Sequence, residues 1–371
     1  GGALGEGAAG PTRDGRAESF DPARAAWAQG AWGSAIQGTA WEHQLRYVRH
    51  LGGDGFGTVS LWRFTPPCAG DVALKEMVLV SKMRLGASWR QVGNPKKLSR
   101  HADVFRKEVE VHRALGRHPS MLELYDAGVL DWQPHGPLRQ KPFMLVEVAP
   151  GGTLFNAMPA ARQAPDTRKL EERITVLVLV NTLRGLAYMH AQGYVHRGIK
   201  PDSIFLADRG FECAQTLSCR YMLGNFGQAT EADARDTAEG SAGTDAYTPP
   251  EAKQNHAWTY RGDVWSLSVS VQEMLEQRFD AGTWRQQGLG KVDRIRPMMK
   301  AIAAKDYLSW NLRELVVDMA GRDEERRPTA QEALDRAEEI AVEVFGRRVP
   351  EHALAAPPCA RAAPQPPARP P

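Results

Sequence analysis

The chain has 371 residues, of which 42% are hydrophobic and 25% are charged, as is common in globular proteins with a sizeable core. Its formal net charge of +3 is too small to favour nucleic acid as a partner. The longest largely apolar run, residues 174–180, is far shorter than the roughly 20 residues of a membrane span. We therefore expect neither nucleic-acid binding nor a membrane span.

The two ends of the chain differ in composition from the middle. Residues 1–43 are rich in Gly and Ala, which predicts disorder. Trp27, Trp32 and Trp41 would expose a large apolar area, so the alternative is that part of this segment docks on the domain behind it. Residues 347–371 are rich in Pro and Ala and predict a flexible tail.

The first half of the remaining chain has the pattern of a small sheet. Short β-like runs cover residues 47–51, 58–64, 72–80 and a stretch that ends at Tyr125, and one helical stretch covers 104–115. Residues 81–100 carry several lysines and arginines. They form either a solvated loop or a docking site for an acidic partner.

Long helical periodicity begins after Gly151-Gly152. It covers residues 173–191, 262–276, 307–320 and 329–344. The whole pattern predicts an α+β protein with two lobes. Residues 44–149 form a small lobe with a sheet and one helix, and residues 150–346 form a larger, mainly helical lobe.

The cysteines are few and irregularly spaced. Cys68, Cys213, Cys219 and Cys359 show no C-x-x-C pair for zinc and are too few for a disulfide scaffold. We expect free thiols in a reducing compartment and hence a cytoplasmic protein.

A glycine-rich turn joins the first two predicted strands, in the sequence Leu-Gly-Gly-Asp-Gly-Phe-Gly-Thr-Val at 51–59. Glycines allow backbone N–H groups to approach a polyphosphate, although a simple hairpin would also contain them. Lys75 ends the next apolar strand pattern and needs an anionic partner there. Glu108 is the candidate, since it shares a helix face with His112; the alternative is an exposed glutamate.

These elements resemble the small lobe of protein kinases, whose strand lysine holds phosphates and pairs with a helix glutamate. Residues 143–152 are similar to the kinase hinge, with Val146 at the gatekeeper position. In the family, backbone groups of the hinge bind adenine. The resemblance implies a nucleotide site formed by Gly52, Gly55, Gly57, Val59, Ala73, Lys75, Glu108, Glu147, Ala149 and Phe205.

Further motifs follow in the family order. Residues 194–206 resemble the catalytic loop, 223–227 stand where the D-F-G triplet belongs, and 243–251 where the activation segment ends. The resemblance implies that Asp263 accepts hydrogen bonds from the catalytic-loop backbone and that Arg327 pairs with Glu251. It also implies a column of His112, Leu124, His196 and Phe226, in which we expect His112 to be partly exposed.

The acidic and amide groups that kinases use for phosphoryl transfer are replaced. Gly198 occupies the position of the catalytic aspartate, and loss of a general base typically lowers a rate by about 10²–10⁴. Ser203 and Asn225 stand where the family has its metal-binding Asn and Asp, so we expect Mg²⁺ binding to be weak or absent and no other metal site. Lys200 is retained and follows the serine/threonine branch.

The sequence leaves nucleotide binding open. Asp54 would repel phosphates, and Phe205 either stacks on a base or fills the pocket. We interpret the chain as a pseudokinase that binds other proteins, such as a partner kinase or a scaffold, with ATP as the candidate ligand. The alternative is a weak serine/threonine kinase that uses a displaced acid such as Asp202. Thr230, Thr237 and Ser241 are candidate phosphorylation sites.

Overall fold

The computed structural model describes residues 44–53, 57–66, 68–77, 81–85, 88–92, 95–132, 139–161, 167–210, 212–232, 246–255, 258–276 and 295–354. Several predictions lie outside these residues. They concern the disorder of residues 1–43, the phosphate-loop residues Asp54 and Gly55, Thr237, Ser241 and Cys359, and the tail from 355 to 371.

The small lobe contains a five-stranded antiparallel sheet in the order β1-β2-β3-β7-β6. Its strands are β1 (Leu45–Gly53), β2 (Gly57–Phe64), β3 (Asp71–Met77), β6 (Leu124–Trp132) and β7 (Arg139–Val146). The side chains alternate between two faces. Ala73, Met144 and Val146 face helix α1 (Pro95–Leu115) and the cleft, whereas Val72 and Leu74 face the opposite side, which we call the outer face.

The large lobe is mainly helical. Its helices are α2 (Leu154–Ala161), α3 (Thr167–Ala191), α4 (Cys213–Thr216), α5 (Pro250–Asn255), α6 (Tyr260–Glu276), α7 (Ile295–Ala303), α8 (Trp310–Met319) and α9 (Ala330–Phe345). Short strands β8 (Gly152–Thr153), β10 (Ile204–Leu206) and β11 (Tyr221–Leu223) form one sheet, and β9 (Tyr194–Val195) pairs with β12 (Thr230–Glu231). The predicted α+β arrangement is confirmed.

Capping residues in the sequence determine where helix α9 begins and ends. Thr329 caps the N-terminus by accepting a hydrogen bond from the Glu332 amide, and the Glu332 carboxylate accepts from the Thr329 amide. This reciprocal pair satisfies two donors that a helix start leaves open. Gly346 ends the helix with a φ of 74°, a conformation that glycine adopts without steric cost.

Helix α6 lies in the centre of the large lobe and is buried nearly all round. Its three buried serines are compatible with this position because each hydroxyl donates to a backbone carbonyl. Ser266 and Ser270 bond the residue four positions earlier, and Ser268 bonds Val316 of α8. Buried hydroxyl groups are tolerated when they are paired in this way.

The prediction that residues 81–100 form a solvated loop is wrong. Strands β4 (Ser81–Leu85) and β5 (Ser88–Val92) form a separate hairpin, and α1 already begins at Pro95. The predicted strand that ended at Tyr125 is also wrong, because β6 begins one residue earlier and continues beyond it. In both places the sequence pattern identified the residues but not the boundary.

The prediction of free thiols is wrong for Cys213 and Cys219, which form a disulfide, and for Cys68, which is also disulfide-bonded. The short helix α4 and the left-handed Leu217 (φ 62°) fold the chain back and bring the two Cα atoms to 4.8 Å. A search for C-x-x-C spacing could not find a pair six residues apart. Within the described residues no cysteine thiol is free.

Two further features concern α3 and the end of the chain. By length and composition alone, Lys169–Ala191 in α3 could cross a membrane, but 72% of its most apolar window is buried in the fold. Residues 347–354, which we expected to be part of the tail, contact the large lobe. Arg184 donates to the carbonyls of Val349 and Pro350, and Val349 is buried.

Candidate active-site cleft

Lys75 and Glu108 form the ion pair that the sequence predicted. The Lys75 Nζ of β3 lies 2.9 Å and 2.7 Å from the two carboxylate oxygens of Glu108 on α1. Both side chains are largely buried, so water weakens their attraction less than at a surface. The alternative of an exposed glutamate is therefore wrong, and the ion pair holds α1 against the sheet. Their contact with a nucleotide stays a prediction.

A column of rings continues from α1 into the large lobe. The Phe226 ring lies 4.9 Å from the His112 ring and 5.4 Å from the His196 ring. The expected partial exposure of His112 is wrong, because its side chain is buried and its Nε2 lies 2.6 Å from the Leu122 carbonyl oxygen. Burial lowers the pKa of His112, so the ring is neutral and can donate this bond.

Asp263 holds the backbone of the loop at 194–206. Its carboxylate accepts hydrogen bonds from the amides of His196 and Arg197 at 2.7 Å and 2.8 Å, as predicted. Two donors that the sequence did not suggest, His190 Nε2 and Trp258 Nε1, lie at 3.0 Å and 3.1 Å. Burial opposes ionisation of Asp263, but these hydrogen bonds and the neighbouring histidines together hold its pKa below the ordinary value.

Gly198 leaves an open position in this ordered loop. Its amide donates to His196 Nδ1 at 3.2 Å. A Cβ atom at residue 198 would lie 3.5 Å from His196 Nδ1 and 3.6 Å from the Gln228 Cβ, which are ordinary contact distances. The backbone would therefore accept a side chain at position 198.

Ser203 and Asn225 direct their polar atoms to the protein. The Ser203 hydroxyl accepts from the Lys200 amide and donates to the Lys200 carbonyl, at 2.9 Å and 2.8 Å. The Asn225 side-chain amide donates to the Asp202 carbonyl at 3.1 Å. Neither residue offers an anionic oxygen, and a hard cation such as Mg²⁺ prefers carboxylate ligands. This donor set does not fit a kinase-type metal.

Four residues of the predicted nucleotide site come together in one apolar cluster, namely Val59, Ala73, Ala149 and Phe205. Phe205 lies against Gly224, where a Cβ atom would be only 2.8 Å from the phenyl ring. The ring therefore uses space that any larger residue at 224 would occupy. This pairing could not be predicted from the sequence, because Phe205 and Gly224 are far apart along the chain and come together only in the fold.

The glycines of the predicted phosphate loop have different structural roles. Gly52 has a φ of 153°, and a Cβ atom there would meet nothing within 4 Å. A Cβ atom on Gly57 would lie 2.7 Å from the Glu76 carbonyl oxygen, so close packing of β2 on β3 by itself requires glycine at 57. The hairpin explanation therefore accounts for Gly57 without a ligand.

Glu147 uses its amide and its carboxylate within the protein. The amide donates to the Glu123 carbonyl at 2.8 Å, and the buried carboxylate accepts hydrogen bonds from the guanidinium of Arg220. Arg220 also donates to the Pro119 carbonyl. Sequence analysis missed this ion pair, although an arginine directly before the fully apolar strand β11 was a usable signal, because a cation there needs a partner.

The end of the activation segment is anchored as the resemblance implied. Arg327 is fully buried and donates to both carboxylate oxygens of Glu251, at 2.7 Å and 3.1 Å. Thr230, a candidate phosphorylation site, is buried and lies in β12, paired with Val195. Phosphorylation of Thr230 would require β12 to separate from β9.

Sequence analysis also missed a hydrogen bond between a largely buried tyrosine and a largely buried glutamate. The Tyr247 hydroxyl donates to the Glu273 carboxylate. Burial raises the pKa of Glu273 to about 7, the hydrogen bond from Tyr247 opposes this rise, and the charge of Asp202 adds to it. A glutamate that is half-protonated near neutral pH makes folding dependent on pH.

We expect Glu273→Gln to stabilise the protein at pH 8 and to have little effect at pH 5. Unfolded glutamate ionises near pH 4.5, whereas the folded residue ionises at about 7. As the pH rises through this interval, the unfolded state loses its proton first, so stability falls by up to about 3 kcal/mol. Melting temperatures at both pH values test this. Equal shifts at pH 5 and pH 8 would contradict it, and exposed Glu325→Gln is the control.

Comparisons with known proteins agree with this geometry. A family model described as "Protein kinase domain" matches residues 87–337. The match begins after β3, so Gly52 and Lys75 are placed by the structure and not by this match.

Three curated proteins are similar to this chain over part of their length. The chain is 27% identical over 242 residues to a calcium/calmodulin-dependent protein kinase kinase of Caenorhabditis elegans (62% of this chain, 40% of that protein). It is 29% identical over 209 residues to Aurora kinase A-B of Xenopus laevis (55% and 45%). It is 34% identical over 111 residues to serine/threonine-protein kinase dkf-1 of Caenorhabditis elegans (30% and 15%). The aligned part is less than half the length of each relative.

Proposed function

Because this chain belongs to the protein kinase family, as its match over residues 87–337 shows, we propose that it is a pseudokinase: a kinase fold that binds other proteins and transfers no phosphate. One observation carries this proposal. The ion pair that orders a kinase cleft is formed, with Lys75 2.7 Å from Glu108. Positions 198 and 225, however, lack the family's aspartates, and position 203 lacks its asparagine. An ordered cleft that lacks the residues for phosphate transfer supports a role in binding.

Two buried ion pairs order the elements around the cleft, and ordered elements favour protein binding. The ion pair of Lys75 and Glu108 fixes α1, and the pair of Glu147 and Arg220 ties the segment between the lobes to β11. Preorganised surfaces lose less conformational freedom on binding. The proposed partners are other proteins, such as an active kinase or a scaffold.

The proposal is tested by incubating the purified protein with labelled ATP, Mg²⁺ and a generic protein substrate. We expect incorporation no higher than that of Lys75→Ala. Turnover that requires Mg²⁺ and disappears in Lys75→Ala would overturn the proposal. If Asp202→Asn also abolished such turnover, the alternative of a weak serine/threonine kinase with a displaced acid would replace it.

We further expect ATP to raise the melting temperature by the same amount with Mg²⁺ as with a chelator. A ligand that binds only the folded state stabilises it, and the neutral Asn225 offers no charge through which the metal could add affinity. Phe205 provides an aromatic face in the cluster with Val59 and Ala73. The thermal shift should disappear in Lys75→Ala. A shift that appears only with Mg²⁺ would contradict this expectation.

A further inference from the structure

The turn between β2 and β3 contains a disulfide-bonded cysteine, Cys68. The chain has four cysteines. Two of the others, Cys213 and Cys219, bond each other, and a sulfur atom forms one disulfide at a time. Elimination therefore leaves Cys359, near the opposite end of the chain, as the candidate partner of Cys68 within this chain.

The last described residues of the chain are held on the large lobe. Val349 is buried in the core of that lobe, and His352 Nε2 lies 3.1 Å from the Cys219 carbonyl oxygen. Burial lowers the pKa of His352, the hydrogen bond with Cys219 opposes this, and the positive charge of Arg220 adds to it. The His352 ring is therefore close to the guanidinium of Arg220.

Arg220 connects this end of the chain with the outer face of the small-lobe sheet. It donates to the Pro119 carbonyl at 2.7 Å. Burial and two neighbouring carboxylates raise the pKa of Tyr125 in β6, and the charge of Arg220 opposes this rise. Tyr125 packs against the apolar cluster of the outer face, as Cys68 does. A row of neighbouring side chains thus leads from His352 past Arg220 and Tyr125 to the cluster beside Cys68.

The stretch between the last described residue, Leu354, and Cys359 is long enough for this path. An extended chain of five residues spans about 15–18 Å, and Pro357 and Pro358 favour an extended backbone. In the sheet order β1-β2-β3-β7-β6, strands β3 and β2 are the second and third neighbours of β6. With strands about 4.8 Å apart, this distance is about 10–14 Å. The segment can therefore cross from β6 to the turn that contains Cys68.

We propose that a disulfide between Cys68 and Cys359 makes the C-terminal segment a covalent clamp between the two lobes. The large lobe holds the segment at Val349, and the turn before β3 holds it at Cys68. When the bond forms, each thiol loses one proton and one electron. A small-molecule disulfide such as oxidised glutathione takes up both protons and both electrons and leaves as two thiols. Because glutathione keeps cytosolic thiols reduced, the clamp is open in a reducing compartment and closed in an oxidising one.

The clamp gives the two lobes a second covalent connection besides the segment that follows β7. Lobes that are joined by one segment can rotate about it as about a hinge, and a second connection restricts that rotation. The clamped element is β3, which also carries Lys75 of the cleft. Oxidation would therefore hold the cleft in one arrangement. The inference is independent of whether the cleft binds nucleotide or transfers phosphate.

Peptide mapping of the full chain tests the pairing. The monomeric protein is equilibrated with oxidised glutathione, its remaining thiols are alkylated, and it is digested with trypsin without reductant. Cleavage puts Cys68 and Cys359 into different peptides, 64–75 and 349–361, and the other two cysteines share the peptide 210–220. We expect the first two peptides to be linked. Linkage of 64–75 to a second copy of itself or to 210–220, or alkylation of both Cys68 and Cys359, would overturn the proposal.

Melting temperatures under the same oxidising conditions test whether the bond clamps the fold. Cys359→Ser should melt roughly 5–10 °C below the parent chain, because it opens a loop that includes both lobes. In a Cys68→Ser background the same change should cost nothing further, since the bond is already absent. The matched control, Cys213→Ser with Cys219→Ser, should keep the link between the lobes. An unchanged melting temperature in Cys359→Ser, or equal losses with and without Cys68, would overturn the clamp.

Discussion

Asp263→Asn is expected to lower the free energy of unfolding by roughly 3–5 kcal/mol, which is the usual cost of breaking a fully buried charged network. The carboxylate is completely buried and accepts from four donors: the amides of His196 and Arg197, His190 and Trp258. Asparagine keeps the shape but replaces one acceptor oxygen with an NH₂ group. That group would face donors with which it cannot bond.

The change is measured by denaturant unfolding and by the melting temperature, which should fall by about 10 °C at roughly 2–4 °C per kcal/mol. Asp318→Asn is the matched control. Asp318 pairs with Arg336 at the surface, with side chains 50% and 37% exposed, so its loss should cost at most about 1 kcal/mol. Similar losses in the two variants would show that Asp263 does not anchor the loop.

Some contacts of the site were predictable from the sequence and others were not. Lys75 with Glu108 and Arg327 with Glu251 were predicted correctly because each member stands in an ordered motif, and a charge in an apolar context requires a partner. Asp263 was predicted for the same reason. His190 and Trp258, which complete its set of donors, were not predicted, since single-sequence patterns do not show which helix faces meet.

The errors have a common physical origin. His112 was expected to be partly exposed because histidine is polar, yet a single hydrogen bond to the Leu122 carbonyl and the contact with Phe226 compensate its burial. Cys213 and Cys219 were expected to be free because their spacing fits no common motif, but a left-handed residue between them closes the loop. Both outcomes depend on tertiary geometry that propensity and spacing do not encode.

We predict that restoring the family's residues at the three replaced positions produces phosphate transfer, because the surrounding scaffold is intact. The triple change Gly198→Asp, Ser203→Asn and Asn225→Asp should produce phosphate transfer that requires Mg²⁺, at least about 10²-fold above the parent chain. The backbone is suited to the new residues at 198 and 225. A Cβ atom fits at 198, and position 225 already has the left-handed φ of 63°, which Asp and Asn tolerate better than most residues.

The outcome separates the two explanations of an inactive cleft. If acids alone are missing, the triple variant transfers phosphate, and adding Lys75→Ala removes that activity. If Phe205 fills the space of the base, the triple variant remains inactive, and ATP does not raise its melting temperature. In that second case Phe205→Leu in the same background should restore both properties. The Phe205 ring packs closely against Gly224, and we expect the first result.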